Sequence, residues 1–408
     1  MLTSAAHAAF HYPNFRCFMT ARFLVTASTE MQAIAVAWQV YGITHRPLDL
    51  GLVGLAQFLP GILLFLITGH AADRVPRRRI LLACCAAFAL CSVLLGALSI
   101  HGLASVWPIY AVLLLNGAVR AFNGPATQAF LPLLVPPQVF PTAVAWSSSI
   151  FQTAIVLGPM AGGAVYGVTG SPIPVYGCAA AAYLIALVLV SAIRLEPSTR
   201  PRPAASLDML LEGLRYIWRN KLILAAISLD LFAVLLGGAV ALLPVYAREI
   251  LKVGPYGLGF LRSAPGLGGV LMAAVCAHWP LRRRAGTAML FCVSCFGGFT
   301  IAFGISRNVV LSMAALVLAG ACDMVSVIVR HTLVQLRTPD DMRGRVSAVN
   351  MVFIGASNEV GQFESGITAQ WFGTVLAVVL GGLGTMLIVA LWSWLFPALR
   401  RVDKLAPQ

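Results

Sequence analysis

The chain has 408 residues, 59% of them hydrophobic and 10% charged, with a formal net charge of +14. A water-soluble domain carries about 25% charged residues, so the composition excludes a soluble globular protein. The cations lie in short segments between apolar runs, which assigns them to membrane topology and argues against a nucleic-acid partner.

Apolar runs of about 20 residues, the length that a hydrocarbon core of ~30 Å demands of a helix, recur from end to end. They are continuous rather than alternating, which excludes a β-barrel. The opening stretch is polar and aromatic as far as Arg16 and leads into a span too long for a signal peptide. The first helix is therefore predicted to target the chain and to stay. In the first half, spans are predicted near 16–41, 50–70, 80–100, 107–132, 143–169 and 175–194. Arg22 and Glu30 fall in span 1 and Arg120 in span 4. Between spans 2 and 3 runs the loop "GHAADRVPRRR" (69–79), in which an aspartate precedes four arginines; span 5 contains "GPMAGG" (158–163).

The middle of the chain breaks the pattern. "EPSTRPRPAAS" (196–206) is Pro-rich and polar and reads as a linker. In "LDMLLEGLRYIWRN" (207–220), Leu207, Leu210, Leu211, Leu214 and Trp218 share one helical face, and Asp208, Glu212, Arg215 and Arg219 the other. This predicts a helix lying in the inner membrane surface. Six more spans follow near 221–247, 256–277, 286–305, 309–336, 346–370 and 375–397. Asp230 falls in span 7, Asp323 and Arg330 in span 10, and Glu359 and Glu364 in span 11. The expected organisation is a six-helix bundle over 1–195, a cytoplasmic linker with an interfacial helix over 196–220, and a second bundle over 221–408. The nine cysteines fall almost entirely inside apolar runs, and Cys292 and Cys295 have no second pair or nearby His. They read as small apolar residues rather than a metal site.

The halves echo each other. "LNGAVRAFNGPATQAFLPLLVPP" (115–137) aligns with "LAGACDMVSVIVRHTLVQLRTPD" (318–340) at a constant offset of 203, which puts Gly117 on Gly320 and Gly158 on Gly361. With the N-terminus in the cytoplasm, inner loops and tails hold 20 of the 28 Lys and Arg and outer loops four, which fixes both termini inside. Two parallel six-span repeats are an arrangement that secondary transporters use.

Here a resemblance can be named. The loop containing Gly69, Asp73, Arg74, Arg77 and Arg78 resembles the G-x-x-x-D-R-x-G-R-R loop of the major facilitator superfamily, with Pro76 where the family has Gly. Gly158, Pro159, Gly162 and Gly163 resemble the G-P-x-x-G-G signature of its proton-driven exporters, and Arg120 with "AFNGPA" its R-x-x-x-G element. "RAFNGPATQAFLPLLVPP" and "TPDDMRGRVSAVNMVFIGASNEVGQFESG" look like the proton-coupled exporter branch that includes the enterobactin exporter. The resemblance implies the major facilitator fold: an all-α membrane protein of twelve transmembrane helices in two pseudo-symmetric six-helix bundles. It also implies spans 1, 4, 7 and 10 around a central cavity.

Two readings stand for each motif. Asp73 either balances a loop that the arginines hold inside, or latches onto the start of span 11 near "RGRV" (343–346), where a helix N-terminus carries partial positive charge. Gly158 and Pro159 either pack and kink helices or let the halves close tightly. An ionisable group at mid-helix costs roughly 2.5–3.5 kcal/mol on insertion scales. Glu30, Arg120, Asp230, Asp323 and Arg330 are therefore either structural ion pairs or a proton and substrate site, with Asp323 and Glu30 the first candidates and Asp230 the third. Asp323 and Arg330 stand two turns apart on one helix face, and Arg120 and Asp323 occupy equivalent repeat positions that could meet across the cavity. Glu359 and Glu364 are assigned first to packing, and His331 to an interfacial contact.

The resulting expectation is an inner-membrane transporter that exports small amphipathic molecules, such as drugs or siderophores, in exchange for protons by alternating access. It is expected to be a monomer in the lipid bilayer, with no cofactor or metal. The alternative is a proton-coupled symporter that takes up a polar solute. No nucleotide loop, metal cluster or nucleophile–base set is visible, so the chain is not expected to be an enzyme, and ATP is excluded as the direct energy source.

Overall fold

The computed structural model describes residues 8–64, 75–100, 102, 105–194, 207–279 and 284–403. Helices account for every regular element among these residues. In chain order they are α1 (Pro13–Thr44), α2 (Pro47–Leu63), α3 (Arg77–Ile100), α4 (Trp107–Phe130), α5 (Phe140–Thr169), α6 (Pro172–Ala192), α7 (Leu207–Arg219), α8 (Lys221–Gly237), α9 (Gly254–His278), α10 (Ala285–Ile305), α11 (Val309–Arg337), α12 (Asp340–Phe372), α13 (Thr374–Leu395) and the short α14 (Pro397–Arg400). One long helix thus falls on each predicted span, and α7 falls on the predicted interfacial segment.

The boundaries follow from side-chain chemistry. Ser171 Oγ accepts from the Ile173 amide at the start of α6 (3.3 Å), and Asn220 Oδ1 accepts from that of Ile223 in α8 (3.3 Å). Asn308 Oδ1 takes two amides of α11, Val310 at 2.9 Å and Leu311 at 3.2 Å. Each cap satisfies donors that a helix start leaves open. Gly170, at φ +65°, ends α5 in a left-handed turn closed by its amide on Tyr166 O (2.8 Å). Among the described residues, eight spans are long and apolar enough to cross a membrane by length and composition alone. Polar residues keep α1 (Glu30, Gln32, Gln39), α4 (Asn116, Arg120, Asn123) and α12 (Asn350, Glu359, Glu364) below that mark, and the described part of α2 is short.

The chain divides into two compact units, Met1–Thr44 with Ala56–Ala205, and His45–Leu55 with Ser206–Gln408. In the first, α1 packs against α5 and α6, and α3 against α4 and α6. Its core joins Phe15, Phe18, Phe88, Phe130 and Tyr183, all buried, with the Phe88 and Tyr183 rings stacked at 5.2 Å. Polar pins cross the same helices: Ser92 Oγ donates to Gln32 Oε1 (2.5 Å), Gln39 Nε2 to Ser99 Oγ (2.9 Å) and Tyr176 Oη to Gln39 Oε1 (2.8 Å).

In the second unit α9 packs against α11, α10 against α11 and α13, and α8 against α12 and α13. The repeat seen in the sequence has a packing counterpart. Gly117 of α4 lies directly on the Gln57 carbonyl of α2, and Gly320 of α11 on the Pro265 carbonyl of α9, so neither position has room for a Cβ. Span 7 is not the uninterrupted helix expected. After Gly238, at ψ +58°, the chain continues through 3-10 turns at Ala239–Leu242 and a wide π turn at Tyr246–Ile250. The Gly238 carbonyl, released from the helix ladder, accepts from Ser365 Oγ at 3.1 Å. The amphipathic helix is also corrected in part. One edge of α7 is protein-covered: Ile217 is buried and Gly213 meets the Arg345 carbonyl, while Leu211 and Trp218 stay exposed. Glu212, on the polar face, pairs with Arg345 at 2.9 Å.

Candidate functional site

The most buried charges of the second unit form one cluster. Arg330 of α11 is 3% exposed and Asp230 of α8 is 7% exposed, and they pair at 3.1 Å between Nη2 and Oδ2. Arg330 Nη1 donates to Asn350 Oδ1 of α12 at 3.1 Å, while its Nε has no partner. Asp323, two turns earlier on α11, lies within electrostatic range of both Asp230 and Arg330. Ser326 stands between Asp323 and Arg330 on that face, buried, with its hydroxyl unpartnered. Three helices therefore converge on one guanidinium. Neutralising Asp230 would remove the ion-pair partner of the buried Arg330 and leave it only the field of Asp323, which costs up to several kcal/mol unless the surroundings rearrange.

In the first unit the charged groups are less buried. Arg120 is exposed and donates from Nη1 to Gln57 Oε1 at 2.8 Å. Glu30 is half-buried where α1 meets α5. The Tyr183 hydroxyl, bonded to Thr29 Oγ1 at 2.9 Å, lies within electrostatic range of both Glu30 and Arg120. Arg22 donates to Ser147 Oγ at 2.6 Å, and its guanidinium sits 5.5 Å from the centre of the Phe151 ring.

The motif residues divide. Gly69, Asp73 and Arg74 lie outside the described residues. Arg77 donates to the Ala129 carbonyl at 3.3 Å, and Arg78 to the carbonyls of Val190 (3.3 Å) and Ser191. These oxygens belong to the last turns of α4 and α6, where helices leave acceptors open and favour cations. Helix α12 starts at Asp340, directly after Pro339, so "RGRV" lies within its first two turns. Gly158, Pro159, Gly162 and Gly163 are all buried. A Cβ on Gly158 would stand 2.6 Å from the Ala27 carbonyl, and one on Gly162 2.6 Å from that of Met31, so the motif's glycines set the α1–α5 approach. Gly361 meets Val234 and Leu235 of α8, about one turn beyond the place that the offset of 203 assigns.

Of the predicted site residues, Asp230, Asp323 and Arg330 come together in one unit, and Glu30 and Arg120 share the surroundings of Tyr183 in the other. Asp230 rather than Asp323 holds the arginine. Glu359 accepts from Gln362 Nε2 at 3.1 Å, and Glu364 from Thr368 Oγ1 at 2.7 Å. His331 is exposed. Sequence reasoning missed Asn350 and Ser326. The repeat offset carried a signal for the first: it pairs Asn350 with Ser147, and each accepts a hydrogen bond from a buried or half-buried arginine. Among the described residues no group of His, Cys, Asp and Glu could hold a metal ion.

Comparison with known proteins gives the following. A family model described as transmembrane secretion effector matches residues 4–407. The chain is 28% identical over 406 residues to the enterobactin exporter EntS of Shigella boydii serotype 4 (strain Sb227), covering 97% of this chain and 95% of that one. It is equally similar to EntS of Escherichia coli O139:H28 (strain E24377A / ETEC). Among solved structures, the nucleoside transporter NupG superposes with a TM-score of 0.75 at 11% identity, covering 94% of this chain and 99% of that one. A bacterial homologue of the human lysosomal transporter Spinster gives 0.74 at 14% identity, covering 95% and 97%. The fold is that of the major facilitator transporters, as the loop and repeat implied, and these relatives are transporters rather than enzymes.

Proposed function

The chain belongs to the transmembrane secretion effector family of major facilitator transporters, and from that premise we propose that it exports a small amphipathic molecule in exchange for protons by alternating access. The reading has the chain in a bacterial inner membrane as a monomer with both termini in the cytoplasm. Residues 1–195 and 221–408 act as the two moving halves, joined by 196–220. A siderophore or a compound of similar amphipathic character is the substrate class. The 28% identity to an enterobactin exporter over nearly the whole chain supports it, and a secretion family model weighs against the symporter alternative.

One observation carries the coupling: the buried Asp230–Arg330 pair, tied to α12 through Asn350 and approached by Asp323. Asp230 holds the arginine while ionised. Binding a proton breaks the tie between α8 and α11, and restoring it requires the proton to leave. Asp323 supplies a second carboxylate in the same field, and Glu30, Arg120 and Tyr183 provide polar contacts for cargo in the other half. In this reading Asp73 and Arg74 take part in gating.

The test is proton release. Adding a transported siderophore to the purified protein in weakly buffered detergent should release protons in the wild type. Release should be lost in Asp230→Asn and reduced in Asp323→Asn. Release that survives in both would remove the coupling assignment while leaving the transporter fold untouched.

A further inference from the structure

The end of the chain builds a cavity apart from the carboxylate cluster. Helix α14 and residues Arg401–Asp403 fold back over the start of α10. Four hydrogen bonds hold them there. The Arg284 amide donates to Asp403 Oδ1 at 2.9 Å, and Thr287 Oγ1 to the Arg400 carbonyl at 3.3 Å. The Ala285 and Gly286 amides donate to the carbonyls of Asp403 (3.3 Å) and Val402 (3.1 Å). Gly286 lies directly on the Leu399 carbonyl, where no side chain fits, and Leu399 and Val402 are buried. The fold-back leaves an open surface pocket of about 300 Å³ lined by Arg284, Thr287, Arg400, Arg401, Val402 and Asp403, all exposed but Val402.

Three arginines, all exposed, are thus among the six residues that line one small space. Asp403 brings a carboxylate, but its Oδ1 already serves a backbone amide. Among the described residues none of the three arginines pairs with a carboxylate. Arg284 is also held at φ +54°, a left-handed conformation unfavourable for a residue with a Cβ. Keeping positive charge on one side of a membrane needs neither a fold-back nor backbone strain, whereas arginines gathered at one pocket suit a phosphate, whose oxygens a guanidinium binds in pairs.

The depth indicates where that phosphate comes from. Trp394, in the last turn of α13, is 75% exposed, and Phe291, under two turns into α10, is 67% exposed. Trp is enriched at headgroup level, and basic pockets on the cytoplasmic side accept anionic head groups. We propose that this cavity binds the phosphate of an anionic phospholipid of the inner leaflet, fixing the chain's end and α10 to the membrane surface. The proposal rests on the orientation given above and is independent of proton coupling.

Full-length protein in nanodiscs tests it. Adding phosphatidylglycerol to phosphatidylcholine discs should raise the unfolding temperature of the wild type. Arg400→Gln/Arg401→Gln should lose at least half of that rise while unfolding normally in phosphatidylcholine alone. Arg79→Gln, which removes an exposed arginine at the start of α3, should keep it. Native mass spectrometry of the wild type should show phosphatidylglycerol retained over phosphatidylethanolamine. No preferential retention would overturn the proposal, as would an undiminished rise in the double variant or an equal loss in Arg79→Gln. A full rise from inorganic phosphate, with none from phosphatidylglycerol, would overturn the lipid assignment.

Discussion

Arg330 makes a sharp claim at the scale of a single residue. Removing one partner of a buried ion pair leaves an uncompensated charge, which costs about 3–5 kcal/mol, whereas removing both charges is often neutral. Arg330→Ala should therefore lower the thermal midpoint of the purified protein strongly, and Asp230→Asn/Arg330→Gln should recover most of it. Transport should be absent in both. A double variant that regained transport along with stability would make the pair structural only. Asp230, Asp323 and Arg330 were legible in the sequence because an ionisable group inside an apolar run is expensive and stands out. Asn350 and Ser326 are neutral and cost little in a helix, so a search by charge passes over them, although they complete the surroundings of Arg330.

At the scale of elements, small residues set how closely helices approach. Gly158 stands against the Ala27 carbonyl and the Glu30 Cβ, so any larger side chain must push α1 and α5 apart. Gly158→Val should cost about 1–3 kcal/mol by overpacking, read as a lower thermal midpoint, and should slow transport by shifting Glu30. The equivalent change at Gly298, which has open space around it, should leave the midpoint unchanged. Helix number and approximate bounds were legible because Pro, Gly, Asn and charged residues punctuate apolar runs of membrane length. The 3-10 and π turns at 239–250 were not, since the segment stays apolar while the backbone leaves the helix. Weak hydropathy marks α1, α4 and α12, which carry candidate polar groups, but not α8 and α11, which hold Asp230, Asp323 and Arg330 and still pass the apolar mark.

At the scale of the whole molecule, the distribution of Lys and Arg predicts an orientation. A reporter fused to the C-terminus should be active only if its activity requires the cytoplasm, and cysteines placed at 46 or 307 should be labelled from outside intact cells; the reverse pattern would overturn the assignment. The repeat was legible through the offset of 203, and both glycine pairs keep it in the packing, but the residues they meet, Gln57 with Pro265 and Ala27 with Leu235, stand at an offset of 208. One more property of the molecule follows from the forked grip of Arg78 on two carbonyls at the end of α6. A lysine at position 78 would carry the same charge and obey the same rule of membrane sidedness, yet its single ammonium lacks the planar span to reach two neighbouring oxygens. Chains with equal basic counts at this rim can therefore differ in stiffness, because the rim's rigidity depends on the shape of the cation and not on its charge.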